Sequence, residues 1–465
     1  MTFFKKWKCL VNQNYMSNNT QPRISKLQGF RLTNRFFMVL GGVIVLFALG
    51  FAWSWVEYIA TFSSIALGLA MLVEIMLLFI SVKLLAVREG GKLLNLGDPN
   101  PVRLDLKNTG TVKVFAQLFD EIPYQMQQRD FRMNVSVTPG QTLHLRYELR
   151  PTSRGEYKFG FLNAIASSSI GLCARRFQLA EPMMIPVYPS VIQMKKYELL
   201  AFARISNFEG IKKVRRIGHS YEFEQIKLYT QGDDIRSINW KATGRRNSLM
   251  VNQYEDERSQ QVYTIIDKSR NMHMPFNGLS LLDYSINTSL VISNIALRKH
   301  DKTGLITFSH RIGTTLPADR SQTQLKKILQ SLYHEKPQPF EADYDLLYRA
   351  VKNVIKSRSL IFLYLNFESA YAMERALPVL KKINHIHLLV AMIFENTELM
   401  DYSRKQADYV SDIYAQTIAH KLIHEKKQIV GKLRKYGIQT ILSKPEDLSI
   451  NTVNKYLELK AKGLI

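Results

Sequence analysis

Residues 36–56 read FFMVLGGVIVLFALGFAWSWV, 21 consecutive uncharged and mostly apolar positions. A helix needs ~20 such residues to cross the hydrocarbon of a bilayer. After Glu57 a second run, 58–82, is interrupted only by Glu74. The first run is too long and begins too late for a cleaved signal peptide, and another follows it at once. The expectation is a two-helix transmembrane hairpin in residues 36–86, with helices at about 36–56 and 58–82. Residues 1–36 hold seven Lys/Arg and no Asp or Glu, and Lys83, Arg88 and Lys92 follow the second run. Positive charge stays on the cytoplasmic side, so residues 1–35 read as a basic cytoplasmic tail. The same rule puts a multi-pass protein in the inner (cell) membrane with both termini in the cytoplasm. Glu74 reads either as a functional group facing a partner helix or as a protonated or snorkelling side chain within the hairpin.

The remainder of the 465 residues is long enough for two or three domains. With 46% apolar and 22% charged residues the chain has the composition of a folded protein. Cys9 and Cys173 cannot make a disulfide framework or, alone, a zinc site, which points to a reduced, intracellular chain. The balance of 63 Lys+Arg against 39 Asp+Glu, net +24, favours anionic surfaces as neighbours. In residues 95–186 apolar positions alternate, as in VRLDLK (102–107), FRMNVSV (131–137) and LHLRYELR (143–150). One packed and one wet face predict an antiparallel β-sandwich-like domain. From 260 to 465 the pattern changes to short, continuous apolar runs: VYTIID (262–267), GLITF (304–308), LIFLYLN (360–366), IHLLVAMIF (386–394) and IQTIL (438–442). Helical stretches at 279–300, 321–334, 344–357, 369–384 and 404–436 separate them. Strands apolar on both faces that alternate with helices predict a mostly parallel, Rossmann-like α/β sheet, with ligands beyond the carboxyl ends of its strands.

The first of those strands ends in Asp267-x-Ser269-x-Asn271. Oxygen donors at alternate positions suit one hard cation, and Asp267 equally suits a helix cap or a loop brace. Residues 187–259 form a linker and an unusual segment, which runs SYEFEQIKLYTQGDDIRSINWKATGRR over 220–246. Tyr229, Asp233, Arg236 and Trp240 read first as a packed, charge-paired cap on the sheet domain. In the other reading Arg236, Arg245 and Arg246 grip a phosphate or carboxylate. His420 and His424 are spaced for zinc but lack a third ligand, so they read with Lys421, Lys426 and Lys427 as a solvated helix face. His385 and His387 read as neighbours on one strand face. No nucleotide-binding loop, dinucleotide fingerprint or serine-nucleophile elbow occurs, and the chain is read as a non-enzyme with no catalytic residues.

The run Tyr229-x-x-Gly232-Asp233-x-x-Arg236-x-Ile238-x-Trp240-x-x-Thr243-x-Arg245, followed by Glu255-x-Glu257-Arg258 and IIDKSRNM, resembles the domain-of-unknown-function 58 (DUF58) family. Arg154-Gly155-x-Tyr157-x-Phe159-Gly160 and the ending Tyr456-Leu457-Glu458-Leu459-Lys460 fit the same pattern. The resemblance implies a membrane-anchored protein in which a hairpin and a β-rich domain precede a von Willebrand factor A-like domain at 260–465. It also implies a degenerate MIDAS-like Mg²⁺ site in which Asp267, Ser269 and Asn271 are the ligands. No Thr stands near Glu341-Ala342-Asp343, and Asn366, with Glu368 two residues on, replaces the later Asp. The function so implied is a non-enzymatic protein-interaction adaptor working with a MoxR-type AAA+ ATPase in protein assembly or maturation. The alternative is a basic cytoplasmic domain that binds anionic lipid or nucleic acid through Lys212, Lys213, Arg215, Arg216, Arg245 and Arg246. Nucleic acid has only charge in its favour, since IKKVRR (211–216) carries no interleaved aromatic.

Overall fold

A computed structural model describes residues 29–128, 131–207, 222–231, 233–255, 260–407 and 409–464. The chain is a mixed α/β protein of two compact units. One comprises Met1–Leu94 with Pro99–Val187, the other Asn95–Asp98 with Tyr188–Ile465.

The first unit opens with strand β1 (Phe30–Leu32), then helices α1 (Asn34–Gly50) and α2 (Ser54–Met76), the latter continued by a wider turn over Leu77–Ser81. The span Ser54–Ser81 is long and apolar enough to cross a membrane; α1 is apolar but shorter. Most of this surface faces outward: Phe37, Ile44, Phe62, Ile65, Leu69 and Leu72 are all exposed. At the far tip Phe51, Trp53, Trp55 and Tyr58 are exposed together, the grouping favoured at a bilayer interface.

Antiparallel strands follow: β2 (Leu84–Glu89), β3 (Asn100–Asn108), β4 (Val114–Asp120), β5 (Arg132–Val137), β6 (Thr142–Leu149), β7 (Gly155–Phe159), β8 (Leu162–Ser167), β9 (Cys173–Ala180) and β10 (Met183–Tyr188). One sheet has the order β1-β9-β8-β4-β5, another the order β2-β3-β6. Along β3 alternate residues are buried, and Val102, Leu104 and Leu106 turn inward as the alternation requires.

The second unit contains α3 (Val191–Asn207), the hairpin strands β11 (Glu222–Leu228) and β12 (Met250–Glu255), and the short helix α4 (Trp240–Arg246) between them. Its main sheet uses β13 (Gln261–Asp267), β14 (Lys302–Phe308), β15 (Ile312–Asp319), β16 (Leu360–Leu365), β17 (Leu388–Phe394) and β18 (Gln439–Ser443). The order is β15-β14-β13-β16-β17-β18, parallel throughout except for the antiparallel edge strand β15. Helices α5 (Leu281–Arg298), α6 (Gln324–His334), α7 (Tyr344–Val354), α8 (Ala370–Ile386), α9 (Thr397–Arg404), α10 (Val410–Lys435) and α11 (Leu448–Ala461) surround it. The continuous apolar runs are explained by two cores. On β16, Phe362 and Tyr364 enter a core shared with α5 and α11, while Ile361 and Leu363 enter one shared with α7, α8 and α10. Sheet order reverses between β13 and β16, so their carboxyl ends open a crevice where such sheets bind ligands.

Three expectations need correcting. The helix expected over 404–436 is α10, which starts at Val410, whereas Arg404 ends the separate short helix α9. His385 lies in the last turn of α8 and is exposed, whereas His387 is buried before β17, so the two share no strand face. Glu74 does not lie within a helix pair: its side chain is fully buried against the β strands.

Candidate functional site

Asp267 closes β13 at the crevice and is 1% exposed, as is Ser269. The Ser269 N–H donates to Asp267 Oδ1 at 2.8 Å. Burial pushes the Asp267 carboxyl up to about 6, although hydrogen bonding by Ser269 pulls the other way. Asn271 and Asn366 exchange bonds across the crevice: Asn271 Nδ2 donates to Asn366 O at 3.4 Å, and Asn366 Nδ2 to Asn271 O at 3.1 Å. Ser269 Oγ and Asn271 Oδ1 are buried without a well-aligned partner.

A lysine completes the crevice. Lys426 of α10 donates to Asn366 Oδ1 and, at 3.2 Å, to Phe394 O at the end of β17. Burial lowers its ammonium to about 8, while Glu368 raises it. Lys426 is therefore no member of a solvated lysine row, although His420 and His424 are exposed as that reading requires. Above the crevice, Arg270 pairs with Glu341 and Glu368, each at 3.3 Å, and Arg375 pairs with Glu341 at 3.3 Å. Asp343 caps α7 by accepting the Leu346 N–H at 3.1 Å. The Tyr344 hydroxyl is held well above its usual range by burial and by the Asp267 charge.

The donors therefore number one carboxylate, one hydroxyl and one amide oxygen. Ser269 Oγ and Asn271 Oδ1 make no well-aligned hydrogen bond, which fits a hard cation that keeps several waters. Asn366, held by Lys426, adds an amide and not a second carboxylate to the crevice. Among the described residues no group of three or more His, Cys, Asp or Glu is arranged to hold a metal.

The segment 222–255 forms a separate small module. Here β11 pairs with β12, and the Tyr229 N–H closes the ladder on Leu249 O at 2.8 Å. Asp233 accepts from Lys227 Nζ at 2.7 Å and from the Thr230 N–H and hydroxyl at 2.9 Å each. The bond from Lys227, then those from Thr230, hold its carboxyl down to about 2. Asn239 caps α4 through the Ala242 N–H, and Thr243 Oγ1 accepts the Met250 N–H, both at 3.0 Å. Polar turn chemistry thus shapes the module, and Tyr229 is half-buried within it.

The packed cap expected of Arg236 and Trp240 does not form. Trp240 is 71% exposed, Ile235 69% and Leu228 57%, and Arg236, Arg245 and Arg246 are exposed as well. A seven-residue helix on a two-stranded hairpin is too small to bury an indole projecting from its first turn. Gly232, Glu257, Arg258, Cys9 and the basic stretch 211–216 lie outside the described residues.

Residues 225–398 match the family described as "Protein of unknown function DUF58". That match starts in β11 and ends in α9, so it takes in the exposed-tryptophan module and both strands flanking the crevice. A 130-residue stretch is 25% identical to "Uncharacterized protein YeaD" of Bacillus subtilis (strain 168). It covers 28% of this chain and 32% of that protein, so the chain spans about a third of its relative's length. Similar solved structures include the CARDB domain of a Pyrococcus furiosus protein, determined in complex with di-metal ions. It is 16% identical, with a TM-score of 0.18 over 23% of this chain and 96% of that one. Proximal thread matrix protein 1 from the mussel byssus is 12% identical, with a TM-score of 0.25 over 43% and 46% of the two chains. Both likenesses are too slight to define a shared fold.

Proposed function

We propose that the chain is a membrane-anchored, non-enzymatic adaptor that docks a MoxR-type AAA+ ATPase in the assembly or maturation of other proteins. The anchor is the apolar pair α1 and α2, both inserted as a hairpin with the termini cytoplasmic, and the docking part is the 222–255 module together with the von Willebrand factor A-like domain that follows it in the chain. The observation that carries the docking role is the surface of the 222–255 module: an indole 71% exposed, on a module that also exposes Ile235, Leu228, Arg236, Arg245 and Arg246. Tryptophan and arginine dominate the energetics of protein interfaces, and a module that leaves both types exposed is suited to such a surface. The partner surface it suits is acidic, with an apolar recess for the ring.

Trp240→Ala is the direct test. Because the ring packs against little, stability should change by less than about 0.5 kcal/mol. Capture of the ATPase by the full-length protein should fall at least about tenfold, as for an interface anchor. Unchanged capture overturns this surface as the docking site.

Asp267, Ser269 and Asn271 would hold Mg²⁺ at the crevice, where the cation would supply an open coordination position for a partner carboxylate. Titration of Mg²⁺ into the full-length protein, followed by thermal unfolding, should raise the midpoint in wild type and leave Asp267→Ala unmoved. No shift in wild type removes the metal and leaves the docking surface intact. For the anchor, a C-terminal alkaline phosphatase fusion should be inactive and a C-terminal green fluorescent fusion bright, as a cytoplasmic terminus requires. The reverse pair overturns the topology.

A further inference from the structure

The buried carboxylate of α2 fixes where the β unit stands against a bilayer. Glu74 is 0% exposed and accepts four hydrogen bonds from one loop: Ser168 Oγ at 2.6 Å and the N–H groups of Gly171, Leu172 and Cys173 at 2.8, 2.7 and 2.9 Å. Gly171 adopts φ +74°, a conformation open to glycine, and this turn lets successive N–H groups face one acceptor. The strand before α1 joins the same loop. The Thr33 N–H donates to Leu172 O at 3.0 Å, and β1 pairs with β9. Past Glu74, Leu78 and Val82 belong to the β core, beside Leu106, Val114 and Ala166. Both apolar helices leave the β unit beside residues 168–173, and the last turns of α2 belong to that unit, with Leu67, Ala70, Met71 and Ile75 packed on its core.

Ser54 to Glu74 is 20 helical steps, about 30 Å at 1.5 Å per residue, which equals the thickness of bilayer hydrocarbon. With the aromatic tip Phe51–Tyr58 at one interface, Glu74 and its loop fall at the other. The segments meeting there, 29–36, 77–88, 108–119 and 162–180, contain no Asp or Glu. They carry Arg31, Arg35, Lys83 and Lys113, all exposed, and Arg175, whose guanidinium lies 4.2 Å from the centre of the Phe79 ring; their other two arginines, Arg88 and Arg176, pair with Asp120 and Glu121. At the tip of the loop Ile170 is 41% exposed.

We infer that this end of the β unit is a lipid-binding surface. Ile170 dips into the cytoplasmic headgroup layer, and Arg31, Arg35 and Lys113 select anionic phospholipid. The inference rests on the reading that α1 and α2 lie in a bilayer. A membrane surface fits better than an acidic protein because the patch is continuous with the lipid-facing helices and the Glu74 bonds hold it at the level of the headgroups. Basic side chains held near an anionic leaflet are attracted to it, and the attraction falls off within a Debye length.

The test uses the full-length protein in nanodiscs, with Cys9→Ser and single cysteines for spin labelling at Ile170, Ile65 and Glu156. Cys173 stays unlabelled because it is buried and burial, then Glu74, pushes its thiol up to about 11. The label at Ile170 should lose collisions with aqueous nickel chelate, as at Ile65 within α2, while the label at Glu156 keeps them. Access at Ile170 equal to Glu156, with Ile65 shielded, overturns the headgroup placement and spares the anchor. Access at Ile65 overturns the bilayer reading itself. Spin-labelled phosphatidylglycerol should be immobilised more than phosphatidylcholine, and the combined R31E, R35E and K113E variant should lose that preference. Equal immobilisation of both lipids by the unaltered protein overturns the anionic selectivity.

Discussion

Glu74→Ala should destabilise the first unit by about 3–5 kcal/mol, measured as thermal or denaturant unfolding of the full-length protein in detergent or nanodiscs. Removing the carboxylate strands three backbone N–H groups and the Ser168 hydroxyl in a site with no exposure. Each buried donor left unmade costs about 1–3 kcal/mol, and the total stays below the sum because water enters the space. Glu74→Gln keeps one acceptor oxygen and should lose roughly half as much. An unchanged midpoint for Glu74→Ala would show that α2 is not held by this loop.

With divalent cations removed by chelator, Asp267→Asn should act in the opposite direction, stabilising the second unit at neutral pH by about 3 kcal/mol. The folded carboxyl titrates near 6 against an ordinary 3.8, a difference of about 2 units. At about 1.4 kcal/mol per unit this is a penalty for holding the charge in a dry site. The sign follows from proton binding. Below pH 4 the carboxyl is protonated folded and unfolded, and the penalty is absent. Between 4 and 6 the folded chain binds the proton more tightly, so stability falls as pH rises. Above 6 the full penalty persists. The advantage of Asn should therefore vanish near pH 4 and reach its plateau above pH 6, read from denaturant unfolding across that range. A group that costs stability at working pH is retained for function more readily than for structure.

The parallel sheet was legible because its strands are buried on both faces: runs such as LIFLYLN and IHLLVAMIF have few other readings. The edge strand Ile312–Asp319 escaped notice, since IGTTLPAD mixes Gly, Thr and Pro on a strand paired on one side only. Lys426 could not be found locally. It reaches the end of β16 from the middle of a long, lysine-rich helix, and nothing in its neighbours distinguishes it from Lys421 or Lys427. The setting of Glu74 was equally hidden, because its partners lie 94 to 99 residues away. Trp240 is misleading in the sequence for a general reason. An indole among charged residues reads as a buried anchor, and only the small size of its module leaves it outside.

The adaptor account stands on whether the exposed-tryptophan module binds. Full-length protein in nanodiscs, titrated with the proposed ATPase held in one nucleotide state, measures this directly. The account predicts saturable binding that Trp240→Ala weakens at least about tenfold while the unfolding temperature stays unchanged. No binding by the unaltered protein, or equal binding by both forms, would contradict it.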